Sequence, residues 1–453
     1  MDSSTHDSTA PPKTEVGRAR DLTAIMEIFS HQAQSHLGSG TQAAFFFGDG
    51  LQRALTDGIF DALQPRTWSP RNLSKLGSQF VDQSVRLSQL LTPKNAHLAW
   101  QELLNKVEVF RLVRNLSSIL KLSDGDSSSL AELVQKAYSR SPFEALWAVE
   151  GVGHYYADEY WKRLGPPRGL LLEANPALPT KSLLMLHAGM GLCFADRLIG
   201  NLTTESTPSE VRDALEQFVR LCRENSRPGY LGAAIESLGI VTRDFYPDLF
   251  RPITAQFRFV ASEFTGYYWH GIGRAIYFSR KFFLPRLFSM WSDVNHEATS
   301  ESARQGVMAG LSWAFTLVNM RQPDIVESAL RSYSDNSSRG EAFSNGVCSC
   351  IIMRTDTTPE EPFVSAFYRH RPSPRSSELT SIWEQRISEP AIIGIDAYYP
   401  VLCRQHALDQ VFRHQDLGEL VKHLQARPEP AATGSSVPTA PKGLQIIPGR
   451  TGP

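Results

Sequence analysis

One short pattern recurs along this chain: a polar residue, a glycine, any residue, then a second glycine or small residue, each time inside a stretch that otherwise favours a helix. It reads "EGVGHYYADEYW" from Glu150, "AGMGLCFADRLI" from Ala188, "ESLGIVTRDFYP" from Glu236, "HGIGRAIYFSRK" from His270, "QGVMAGLSWAFT" from Gln305 and "NGVCSCIIMRTD" from Asn345, with an outlying copy, "FGDGLQRALTDG", from Phe47. The later six are separated by 38, 48, 34, 35 and 40 residues, about one helical hairpin per repeat, the period of helical solenoids. The spacing is irregular, so the expectation is an irregular array and not a regular TPR or HEAT consensus. A glycine inside a helix costs roughly 1 kcal/mol relative to alanine, so its recurrence needs an offsetting gain. Residues i and i+2 project about 200° apart on an α-helix. Paired glycines therefore suit a helix approached closely by neighbours on two opposite sides. The alternative is that they mark breaks between short helices. Ser237, Met308 and Cys348 stand where a glycine would complete the pattern.

The rest of the chain is punctuated as helices are. "SPFE" at Ser141, "TPSE" at Thr207 and "TPEE" at Thr358 each offer a hydroxyl N-cap, a proline at the first helical position and a glutamate two residues further on, the arrangement of a capping box. Only "AIIGIDAYY" at 391–399 tempts a strand assignment. The expected fold is all-α: irregular helical-hairpin repeats forming a superhelix or α/α-toroid-like array. Its expected organisation is a disordered tail over 1–20, an N-terminal helical region over 21–135, a repeat domain carrying the Gly-x-Gly helices over 136–425, and a disordered tail over 426–453 that is rich in Pro, Ala, Gly and Ser.

At 453 residues the chain can bury one large core or two ordinary ones. A net charge of −1 gives no global case for nucleic acid or an anionic membrane as partner. The N-terminus lacks the apolar region of a secretory signal. The longest uncharged run, Gln305 to Met320, falls short of a spanning segment and reads as a core helix. The five cysteines, Cys193, Cys222, Cys348, Cys350 and Cys403, suggest buried thiols and no disulfide framework. These signs point to a cytoplasmic protein with no membrane span.

If the glycines face neighbouring helices, the residue before the first glycine points elsewhere. That column reads Glu150, Ala188, Glu236, His270, Gln305 and Asn345; one helical turn on it reads His154, Leu192, Ile240, Arg274, Ala309 and Ser349. In a curved array such a column converges on one concave face, where a few polar groups in aromatic walls resemble a ligand pocket. Glu150, His154, Glu236 and His270 are the candidate catalytic residues, because a buried carboxylate beside an imidazole shifts both pKa values toward acid–base use. Arg274 suits an anionic part of the ligand, with His187, Tyr155, Tyr268, Gln305 and Asn345 as further ligand contacts. Glu-x-x-x-His also places two metal ligands on one face, although no residue is assigned to a metal and no cofactor is named. Asp158, Asp196 and Asp244 read as helix stops or partners of Arg197 and Arg243. No phosphate-cradling loop, G-x-S-x-G or H-E-x-x-H occurs.

The succession "EGVGHYYAD", "LMLHAGMGLCFADRL", "AAIESLGIVTRDFYPDL", "YYWHGIGRAIYF" and "RQGVMAGLSWAFTLVN" resembles the UnbU-like enediyne biosynthesis family of bacteria, over roughly residues 140–350. The resemblance implies a role in making or tailoring a polyene or polyketide secondary metabolite, with biosynthetic partner proteins, but no assigned reaction and no catalytic residues to carry over. The functional expectation is a biosynthetic protein that binds a hydrophobic small molecule in a helical cavity and acts on it by acid–base chemistry. A non-catalytic scaffold holding a partner protein on its concave face, and a metal-dependent tailoring enzyme, are the alternatives.

Overall fold

The computed structural model describes residues 96–114, 128–172, 178–279, 290–298, 300–332, 340–359, 361–372 and 377–428, together with Leu116 and Leu120. Residues 1–94 form a separate unit from 95–453, so everything below concerns the second. Both expected tails and most of the expected N-terminal region lie outside the described residues, as does the copy at Phe47.

Every described element is helical and there is no strand among the described residues. In order these are α1 (Ala96–Arg114), α2 (Leu130–Tyr138), α3 (Pro142–Leu164), α4 (Leu183–Ile199), α5 (Pro208–Asn225), α6 (Leu231–Phe245), α7 (Phe250–Val260), α8 (Thr265–Phe278) and α9 (Met290–Glu297). There follow α10 (Glu301–Asn319), α11 (Pro323–Ser332), α12 (Glu341–Thr357), α13 (Pro362–Tyr368), α14 (Ser377–Trp383), α15 (Glu389–Ile393), α16 (Tyr399–Arg404) and α17 (Leu417–Gln425).

The glycine-bearing helices α3, α4, α6, α8, α10 and α12 are packed against one another in chain order. They continue through their glycines: each motif lies inside an unbroken helix, which removes the reading of glycines as breaks. The paired glycines serve two neighbours. A Cβ on Gly271 would collide with the Glu236 carbonyl of α6, and one on Gly273 with the Val307 carbonyl of α10. Gly189 meets α3 at the Glu150 carbonyl, and Gly191 meets α6 at Ala234, in the same way. Backbone thus lies on backbone across each interface, a separation that a side chain would forbid. Where serine replaces glycine it uses its hydroxyl: Ser237 Oγ donates to the Ala188 carbonyl at 2.8 Å. The last helix of the row also reaches the first, Arg354 of α12 donating to the Pro142 carbonyl at 3.1 Å.

Several local expectations are corrected. The 391–399 segment is helical, part of a run over 377–404 interrupted by π-turns at Glu384–Ser388 and Gly394–Tyr398; its alternation reflects a helix half exposed at the surface, with a wider local turn. Thr358 caps no following helix. It ends α12, its hydroxyl donating to the Arg354 carbonyl at 3.1 Å. Thr207 does form the full capping box with Glu210, whereas Ser141 makes no side-chain cap. In α10 the repeat sits one turn later than Gln305. Gly310 packs on the main chain of the preceding helix, against the His270 carbonyl, whereas Gly306 meets the Trp269 side chain of that helix and Gln305 is exposed.

Among the described residues one helical stretch, Thr180–Ile199, is long and apolar enough to cross a membrane, but 83% of its apolar window is buried within the protein, as in a core helix. The described cysteines are all free; Cys193, Cys222, Cys348 and Cys350 are buried and Cys403 half-buried.

Candidate functional site

The side chains projecting between the glycine contacts bring four charged or titratable groups together in the core. Glu150 comes from α3, Glu236 from α6, and His270 and Arg274 from successive turns of α8. Two helices separate α3 from α8 in the row, so a Glu150–Arg274 contact requires both to face a shared interior. His270 Nδ1 lies 2.6 Å from Glu236 Oε1. Arg274 donates from Nη1 to Glu236 Oε2 at 2.5 Å and from Nη2 to Glu150 Oε1 at 3.5 Å. The four residues are between 0 and 3% exposed, so bulk water does not screen them and each charge must be answered from within the protein.

Aromatic rings close the cluster. The Arg274 guanidinium lies 4.3 Å from the centre of the Trp313 ring and 5.9 Å from that of Phe412, a cation–π arrangement. His270 meets the same two rings edge-on, at 6.1 and 6.2 Å. Trp313 belongs to α10, and Phe412 to the 3-10 turn Leu408–Phe412.

The tautomer follows from these partners. Glu236, held by Arg274 at its other oxygen, accepts from the ring, so the proton faces it on Nδ1 and leaves a lone pair on Nε2. That Nε2 is buried without a hydrogen-bond partner, an unusual state for a buried polar atom. Burial pushes the His270 pKa below its ordinary value, Glu236 opposing and Arg274 assisting. Burial also raises the Glu150 pKa, Arg274 opposing and Glu236 adding to the rise. Arg274 is held charged above its ordinary value: burial works against it, but Glu236 and Glu150 outweigh that. The arrangement is an oriented neutral imidazole, a carboxyl shifted toward its protonated form, and a fixed cation between two carboxyl groups.

The other candidate residues lie elsewhere. His154 is half-buried one turn beyond Glu150 on α3, with Tyr155 half-buried beside it against the core. His187 is buried with both ring nitrogens engaged: Nδ1 donates to the Leu183 carbonyl at 2.6 Å, and Nε2 accepts the Arg227 backbone N–H at 3.1 Å. It also stacks on Tyr230. Burial lowers its pKa to about 3. The Tyr268 hydroxyl bonds Thr254 at 2.7 Å, and Asn345 donates to the Gln415 carbonyl at 2.6 Å. Asp158 pairs with Arg197 as expected, whereas Arg243 pairs with Glu297. The described residues that could hold a metal ion as a close group are Asp324, Glu327 and His370, away from the predicted column. There Glu327 already contacts Arg331 and His370.

Trp313 and Phe412 belong to the cluster although the repeat column does not contain them. Trp313 has a signal in the sequence: once α10 is read from Ala309, it occupies the same column as Arg274. Phe412 has none, because it lies outside the repeats.

An all-α protein with a buried carboxylate–imidazole–guanidinium cluster is the class that fold and site define. Comparison with known proteins gives no match, neither to a protein-family model, nor to a curated protein, nor to a solved structure.

Proposed function

We propose that the protein carries out proton-transfer chemistry on a hydrophobic small molecule, with His270 as base and Glu150 as acid. The observation carrying this is the unpartnered, buried Nε2 of His270 opposite a carboxylate that fixes its other nitrogen. A base needs an available lone pair and a group that steadies the imidazolium formed when it takes a proton; Glu236 is placed for the second role. Burial raises the pKa of Glu150, which favours it in the acid role. Trp313 and Phe412 supply apolar walls, and the turn carrying Phe412 covers the cluster. Arg274 holds Glu236 through Nη1 while its Nε, without a hydrogen-bond partner, is available to an anionic atom. The return of Arg354 onto Pro142 supports a row of helices closing toward a toroid around this centre. The resemblance to the UnbU-like family supports a cytoplasmic role in secondary-metabolite biosynthesis.

The test has two parts. Nitrogen NMR of the ring-labelled protein is expected to show His270 neutral at pH 7 with its proton on Nδ1; a cationic ring at that pH removes the base. Untargeted mass spectrometry then compares hydrophobic metabolite extracts incubated with the wild type and with a folded His270→Asn variant. The wild type is expected to consume features that the variant leaves untouched. Identical profiles would mean that the cluster is a structural clamp joining α3, α6 and α8.

A further inference from the structure

A second arginine-rich site lies on the other side of the turn that covers the buried cluster. The end of α5 and the start of α6 face the segment from Gln405 to Arg427 across a cleft of about 560 Å³, within the size range of small-molecule sites. Arg223, Arg227, Arg413 and Arg427 line it, against a single carboxylate, Asp409. Asp409 is engaged, accepting the Gly232 backbone N–H at 2.8 Å. Arg223 is answered outside the lining by Glu263 at 2.7 Å, and Arg227 donates from Nε to the Leu171 carbonyl at 2.7 Å, which leaves Arg413 and Arg427 facing one engaged carboxylate. Arg413 spends one nitrogen on the neutral Gln415 side chain at 2.8 Å, while its Nε is shielded from solvent and without a hydrogen-bond partner. Between the arginines the lining is apolar, with Leu231, Leu420 and Leu424.

The backbone here is built to a shape. His406 is the one described non-glycine residue with positive φ, at 48°, a conformation that is uncommon outside glycine. Its carbonyl packs against Gly229, itself at φ 83°. A side chain on Gly229 would collide with that carbonyl, so the lip of the cleft depends on a position that only glycine fills.

We propose that this cleft binds an amphiphilic organic anion, its acidic group held by Arg413 and Arg427 and its apolar body lying on the three leucines. Excess guanidinium in a concave site favours a carboxylate or phosphate, which accepts from two N–H groups at once. The leucines favour a hydrocarbon-bearing ligand over a free inorganic anion. The assignment stands independently of any chemistry at His270.

Calorimetric titration of the full chain with hexyl phosphate, hexanoate and hexanol tests it. Saturable binding of hexyl phosphate, of hexanoate or of both, with none of hexanol, is expected. Which of the two anions binds distinguishes a phosphate ester from a carboxylate as the natural head group. In the double variant Arg413→Gln, Arg427→Gln, affinity should fall about tenfold for each guanidinium removed. Arg427 is exposed, so Arg427→Gln alone provides a folded variant in which a single tenfold step is read. Absence of binding by both anions, equal binding of hexanol, or affinity unchanged in the double variant overturns the proposal.

Discussion

Two regions of this protein gather arginine, and they treat its charge in opposite ways. Around Arg274 the chain supplies the counter-charge itself, with Glu236 at 2.5 Å, adds a hydrogen bond to the Glu150 carboxyl at 3.5 Å, and covers the group with Trp313 and Phe412. In the cleft, Arg413 and Arg427 face one engaged carboxylate and an opening. A buried cation left unanswered is among the costliest things a fold can hold, whereas an exposed one costs little because water answers it. The charge of the first region is therefore answered within the chain, with only the Arg274 Nε left over, and the second leaves more of its guanidinium hydrogen bonds to a ligand.

The sharpest way to break that contrast is Glu236→Ala, which strands the buried Arg274. It is expected to cost about 3–5 kcal/mol in denaturant unfolding; a loss below about 1 kcal/mol, on the order of a surface substitution, would show that water reaches the cluster. Next in size, Gly273→Ala places a Cβ against the Val307 carbonyl and should cost about 1–3 kcal/mol. On the same helix, the nearest atoms to a Cβ at Gly266 belong to Arg413, at 3.5 Å and beyond. Gly266→Ala should be neutral or stabilise by up to about 1 kcal/mol. Reversal of that order in thermal unfolding would sink the account of close helix contact.

Acidification gives a third effect. His187 is neutral in the folded state down to about pH 3, but its unfolded counterpart takes up a proton below about 6.5. Its contribution is present above the unfolded pKa and is lost as pH falls. From pH 7 to pH 5 this costs about 2 kcal/mol. His270, also lowered, acts in the same sense. Glu150, raised, acts in the opposite one: its contribution is present below the ordinary carboxylate pKa and is lost as pH rises through the raised value. Stability measured at both pH values in wild type and His187→Gln should show a shallower acid loss in the variant; parallel losses would remove His187 as a cause. The smallest effect belongs to the cleft. Arg427→Gln should change stability by less than about 0.5 kcal/mol, and a larger loss would place that guanidinium among structural groups.

Much of the buried cluster is legible in the sequence, because glycine spacing fixes direction. Once Gly271 and Gly273 are assigned to opposite neighbours, His270 and Arg274 must point to a third side, and Glu236 and Glu150 follow by equivalence. The same logic fails in α10, which contains two overlapping small-residue patterns, "QGVM" and "AGLS". Only the packed structure decides between them: Gly306 faces the Trp269 side chain, and Gly310 faces the main chain of α8. His187 reads as a third functional histidine because its two backbone partners are invisible in sequence. The cleft is not legible at all. Its arginines come from residues 223–227 and 413–427, and no local pattern links segments that only the fold makes neighbours.

The glycine contacts carry one more consequence. Because carbonyl oxygens and α-carbons set the distance from helix to helix, the frame owes its dimensions to the main chain and little to the identity of the residues lining its interior. Lining positions can then change without moving the walls, as Ala188 and Glu236 already show by occupying equivalent places in one chain. A scaffold of this kind resembles a rack with interchangeable fittings: related chains that keep the glycines are expected to share its spacing while differing in the chemistry they enclose.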